Sequence, residues 1–159
     1  MSFVLPPMFA GLEPEDQDQA RSMLQPCHFD VGDEVMLERE EDTSLAFISK
    51  GGVEIVHDDI RVGMAGVRDI IGEMELFTGR PRLATIRTTQ HTDLLVLGPQ
   101  EYIELCETGN PLVFRLEQAA LRRVGDRLRA MDEQIANLSD GEPFELHPKQ
   151  KGLLARLNP

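Results

Sequence analysis

The spacing of apolar positions changes period along this chain, and each change marks a new kind of element. Met8-Phe9-Ala10-Gly11-Leu12 is a short apolar patch, followed by Pro14, Glu15 and Asp16. Proline in a first turn and acids at the positive end of a helix predict a helix to about Leu24, stopped before Pro26. From Cys27 the period shortens to that of strands. Phe29, Val31, Val35 and Leu37 lie around Gly32 and acidic residues, which predicts strand, turn, strand. Leu45 to Ile48 and Val53 to Val56, separated by Ser49-Lys50-Gly51-Gly52, predict a hairpin. Ile60 to Val62 and Thr85 to Thr88 add strands, and Leu94 to Leu97 suits a well-buried one. The acidic run from Glu38 to Asp42 reads most simply as a solvated hairpin tip. Many short strands without long helices between them argue a sandwich or barrel.

After Leu97 the helical period takes over. Gly98-Pro99 predicts a short helix through Tyr102, Leu105 and Cys106, and Asn110-Pro111 predicts a second start, with a capping residue before proline. That second helix is expected to run from about residue 111 to Leu138, before Asp140-Gly141. Within it Leu121, Val124, Leu128, Met131, Ile135 and Leu138 repeat at steps of three and four. Two readings stay open: the seam of a two-helix coil, or a helix docked along its own domain. Gly125 inside this helix costs about 1 kcal/mol relative to alanine, so it marks a close approach or a bend. Residues 1–138 are read as one domain and 139–159 as a short tail, extended over Glu142 to Pro148 and helical over Lys149 to Leu157.

Charge and cysteine usage narrow the picture. The net charge of −12 argues against a protein whose main task is gripping DNA or an anionic membrane. Cys27 and Cys106 stand far apart without metal-like spacing, as expected of free thiols in a reducing cytoplasm. Neither a signal peptide nor a membrane span is read here, and a cytoplasmic location is expected. No two of His28, His57, His91 and His147 lie within four residues of each other, so no metal site is expected. No nucleophile elbow is present, and the chain is not expected to be an enzyme.

The candidate chemistry lies in Ile71-Gly72-Glu73-Met74-Glu75-Leu76-Phe77-Thr78-Gly79-Arg80-Pro81-Arg82-Leu83-Ala84-Thr85. Gly72 permits a tight turn or close approach to a ligand. Glu73 to Phe77 suit a helical turn whose free N–H groups face an anion. Pro81 stiffens the exit, so Arg82 arrives on a defined path with a planar fork of donors suited to phosphate oxygens.

The order Gly-Glu-x-x-Leu, a short gap, then Pro-Arg-x-Ala-Thr resembles the phosphate-binding cassette of the cyclic nucleotide-binding domain family. The resemblance extends from about Phe9 to Leu138. It implies a mainly β fold, an eight-stranded jelly-roll-like β-roll with an N-terminal helix and a long C-terminal helix. It also implies that Arg82 clamps the cyclic phosphate and Glu73 accepts a hydrogen bond from the ribose 2′-hydroxyl. Backbone N–H groups near Met74, Glu75, Leu83 and Ala84 would complete the cradle that Ile71 and Gly72 lead into. Glu75 departs from the pattern, since the family usually has a small residue there.

The function this implies is a stand-alone cyclic nucleotide sensor without a helix-turn-helix domain, in which ligand binding moves the C-terminal helix and a partner reads the change. The ligand is cyclic AMP, possibly cyclic GMP, with no other cofactor. Relatives selective for guanine often carry threonine where this chain has Leu83, so cyclic AMP is expected to bind at least as well. A homodimer through the C-terminal helix is expected, and no DNA or membrane partner. The alternative is a degenerate domain acting as an interaction or dimerisation module, for which Glu75 is the hint. Arg82→Ala is expected to weaken binding while leaving the fold intact.

Overall fold

Pro14 at the first helical position, with Glu15 and Asp16 in the first turn, starts α1 (Pro14–Met23). The chain then passes straight into strand β1 (Leu24–Phe29), which contains Pro26. Proline is tolerated there because β1 is the outer strand of its sheet. The computed structural model describes residues 3–138. They contain β2 (Glu34–Met36), β3 (Leu45–Lys50), β4 (Gly52–His57), β5 (Ile60–Gly66), β6 (Ile70–Ile71), β7 (Thr85–Thr88) and β8 (Thr92–Leu97). Helix α2 (Glu73–Thr78) follows β6, and α3 (Pro99–Glu107) and α4 (Pro111–Leu138) follow β8. The strands form two antiparallel sheets, ordered β1-β8-β3-β6 and β2-β7-β4-β5. This is the eight-stranded β-roll with flanking helices.

The expected hairpin from Leu45 to Val56 is not one. β3 pairs with β6 and β8, whereas β4 pairs with β5 and β7, so Gly51 carries the chain from one sheet to the other. Gly51 sits at φ +85°, and a Cβ there would lie 2.5 Å from the His91 carbonyl oxygen. The glycine is needed for a crossing rather than for a hairpin turn. The hairpin lies one step on, between β4 and β5, where Asp58 and Asp59 hold φ of 46° and 62°. Positive φ at both central residues is what a tight antiparallel connection requires.

Two apolar clusters share β3 and β8. Leu45 and Phe47 face a cluster with Phe9, Leu12, Leu105, Leu112 and Leu116, while Ala46 and Ile48 face Met36, Val53, Ile71 and Ile86. Strand β3 is therefore buried on both faces, which is why Leu45 to Ile48 is a continuous apolar run rather than an alternating one. Phe9 meets Phe47 edge to face at 5.9 Å.

Asn110 caps α4, its side-chain oxygen accepting from the Leu112 N–H at 2.9 Å. Leu112, Leu116 and Ala120, spaced by four, are buried. Arg115 donates to the Ala10 carbonyl at 3.0 Å, and Arg123 pairs with Asp69 at 3.0 Å. The Tyr102 hydroxyl of α3 donates to Glu117 at 2.9 Å; burial, with that acceptor, pushes the phenol pKa up. The chain divides into two compact units, Met1–Val124 and Gly125–Pro159. The first holds the β-roll, and the described part of the second is the C-terminal half of α4. No helix among the described residues is long and apolar enough to cross a membrane. The expectations for the tail over 139–159 fall outside the described residues.

Candidate functional site: an anion cradle

Strand β6 ends at Ile71, which pairs with Ala46 and is fully buried, so its side chain belongs to the core. Gly72 then turns the chain at φ +79° into α2. A Cβ at Gly72 would lie 2.6 Å from Arg82 Nη1 and 2.7 Å from the Ser44 carbonyl oxygen. Both the backbone angle and the lack of space therefore demand glycine. Gly79, at φ +60°, closes α2 with its N–H on the Glu75 carbonyl at 2.9 Å.

Arg82 is the hub. Its main chain is pinned by exchange with the loop after β2: Arg82 N–H donates to the Glu40 carbonyl and Arg39 N–H to the Arg82 carbonyl, each at 2.8 Å. Its side chain is only 2% exposed. Nη1 donates to the Gly72 carbonyl at 3.2 Å and to Glu75 Oε2 at 3.0 Å. Nη2 donates to Asp42 Oδ2 and to the Ser44 carbonyl, both at 2.6 Å, and to Ser44 Oγ at 3.2 Å. The other Glu75 oxygen, Oε1, accepts from the Leu83 N–H at 3.1 Å. Glu75 thus bridges a guanidinium and a backbone amide, the two kinds of donor expected to cradle a phosphate.

Burial alone pushes the Asp42 carboxyl up. The Ser44 hydroxyl and amide, together with the Arg82 guanidinium, outweigh that and hold its pKa below the usual carboxylate value. The acidic run is therefore more than a solvated tip, because its last member faces the site. Asp42 and Ser44 were missed from the sequence. Nothing local marks them, and they meet Arg82 across about forty residues of chain.

Of the predicted site residues, the structure brings together Gly72, Glu75, Arg82 and Leu83. Glu73 is fully buried beside them in sequence, Met74 and Ala84 are half-buried, and Leu83 is 56% exposed. A separate cluster joins Glu38, His57 and Asp58, whose possible ligand atoms lie within 4.8 Å of one another. Arg39 already pairs with Glu38 at 3.4 Å and Asp58 at 3.1 Å. The Asp58 amide, more than the neighbouring His57 or Arg39, lowers the Glu38 pKa.

Residues 26–109 match the sequence pattern of the cyclic nucleotide-binding domain, a span that contains every contact of the cradle. The chain belongs to the cyclic nucleotide-binding domain family. Within it, the chain is 28% identical over 138 residues to the cyclic AMP receptor protein of Thermus thermophilus, covering 84% of this chain and 62% of that protein. It is 30% identical over 78 residues to a cAMP-dependent protein kinase regulatory subunit of Yarrowia lipolytica, covering 47% of this chain and 21% of the other. The chain thus spans less than two thirds of these relatives. A cyclic nucleotide-binding domain from Methylobacillus flagellatus superposes with a TM-score of 0.71 at 23% identity, over 79% of this chain and 75% of that one. That likeness is one of fold. By name, the first of these relatives is a receptor for cyclic AMP and the second a regulatory subunit of a cAMP-dependent kinase.

Proposed function

We propose that this domain is a regulatory module that binds a cyclic nucleotide, cyclic AMP ahead of cyclic GMP, with its phosphate on Arg82 and the Leu83 amide. The observation that carries the reading is the convergence of those two donors on one anionic group, the Glu75 carboxylate. Donors that already hold a carboxylate are placed for a phosphate oxygen. Glu73 is the acceptor proposed for the ribose hydroxyl. Its burial means that the cassette has to open for this contact. Leu83, directly after the arginine, offers no hydrogen bond to a guanine edge, which supports the preference for cyclic AMP.

In this reading the ligand favours one position of α4 over another, and a partner responds to the difference. The partner surface proposed is α4 itself, in a homodimer, because Leu121, Leu128, Met131 and Ile135 are each more than half exposed. Neither DNA nor a membrane is proposed as a partner, and the setting is cytoplasmic.

A second reading draws on the same site. Arg82 is already bonded to Glu75, Asp42, Ser44 and Gly72, which favours a domain that keeps its cassette closed and serves as an interaction module. Side-by-side calorimetric titration with cyclic AMP and cyclic GMP separates the two. Saturable binding, with cyclic AMP equal or tighter, supports the sensor. Absence of heat with both nucleotides at millimolar concentration supports the module.

A further inference from the structure

We propose that Glu75 is an internal ligand of the cradle, a built-in anion that sets the affinity of the site by competing with any phosphate that enters. The proposal rests on the cyclic nucleotide reading for the identity of the natural competitor, though not for the occupancy itself.

Three observations support it. Both Glu75 oxygens are engaged by the cradle donors, one by Arg82 Nη1 at 3.0 Å and the other by the Leu83 N–H at 3.1 Å. A phosphate bound by the same two groups would need the same space. The pair is also desolvated, with the Arg82 and Glu75 side chains 2% and 8% exposed. Water therefore does little to screen it, and losing Glu75 leaves Arg82 Nη1 and the Leu83 amide without their anionic acceptor. Finally, Asp42 holds the opposite side of the guanidinium at 2.6 Å. With Glu75 in place, a phosphate would be the third anion facing one cation, so its entry requires Glu75 to leave.

That departure is a conformational tax on affinity. If the vacated cradle is a minor state of 0.1–10%, removing the competitor tightens binding by about tenfold or more. Glu75→Gln keeps the volume and an acceptor for the Leu83 amide while removing the charge opposite Arg82. Glu75→Ala empties the cradle altogether.

The test measures thermal unfolding and calorimetric binding of the unmodified chain and both variants, with inorganic phosphate and with cyclic AMP. The expected result has three parts. Glu75→Ala melts below the unmodified protein and regains stability in millimolar phosphate. The unmodified protein shows no such response. Glu75→Gln binds cyclic AMP about tenfold tighter or better. Equal cyclic AMP affinity in the unmodified chain and Glu75→Gln would leave the nucleotide reading standing and overturn this one. A phosphate response confined to the variants, with no binding of cyclic AMP by any form, would support Glu75 as the internal anion and sink the nucleotide reading. No response of either variant to either anion overturns the proposal. Should Glu75→Ala fail to fold, the comparison with Glu75→Gln decides alone.

Discussion

Arg82 has a structural duty as well as the binding one proposed for it. The contacts of this side chain bear on the expectation that Arg82→Ala leaves the fold intact: truncation would leave the Glu75 and Asp42 carboxylates without the cation they share. Breaking a buried pair by removing one partner costs about 3–5 kcal/mol, so chemical denaturation should place Arg82→Ala that far below the unmodified protein. Arg82→Lys keeps the charge but not the fork, and should lose clearly less. Gly72→Ala should be destabilised by about 1–3 kcal/mol, because its φ of +79° is strained for alanine and its Cβ would meet Arg82 Nη1 at 2.6 Å. A melting point unchanged from the parent would contradict that geometry. Asp42 gives the site an acid limb. Its folded pKa is depressed, so it contributes stability above the unfolded value of about 3.9, and that contribution is lost as pH falls through the lower folded pKa. With its side chain 43% exposed, the effect is screened to about 1 kcal/mol or less. Asp42→Asn should therefore differ most from the parent near neutral pH, and the difference should shrink as the pH falls below the unfolded value of about 3.9. A gap that widens on acidification would reverse the sign of this argument.

Among the elements, α4 shows two apolar stripes with different fates. Leu112, Leu116 and Ala120 are buried, whereas Leu121, Leu128, Met131 and Ile135 are exposed. The three-four repeat was legible in the sequence, but not whether a strand or another helix would cover it. Residue spacing gives the face of a helix and not the neighbour of that face. A Cβ at Gly125 would meet nothing within 4 Å among the described residues, so none of them makes the close approach that this glycine suggested. The homodimer proposed through this helix should be split by Leu128→Glu, which would place an unpaired charge in the seam. Light scattering should give a dimer for the parent and a monomer for the variant at micromolar concentration. A monomeric parent, with or without nucleotide, would remove the dimer from the account.

Across the whole molecule, legibility followed sequence distance. Helix starts at Pro14, Pro99 and Pro111 and the strand at Thr85 were readable because their signals are local. The sheet partners of β3 and β4 were not, because Gly51-Gly52 suits both a hairpin turn and a crossing between sheets. Gly72 and Arg82 were readable within one cassette, whereas Asp42 and Ser44 reach Arg82 from a remote loop. Glu75 was visible as an oddity, yet its direction was not: its placement in the cradle follows from the path of α2 between Gly72 and Gly79. Against a net charge of −12, the buried Arg82 is the local cation that faces the anionic groups of the cradle. The most direct test is a crystal structure of the domain grown with cyclic AMP. The phosphate is expected on Arg82 Nη1 and the Leu83 amide, with the Glu75 carboxylate swung out of the cradle. Nucleotide bound elsewhere, or bound while the Arg82–Glu75 pair remains closed, would contradict that expectation.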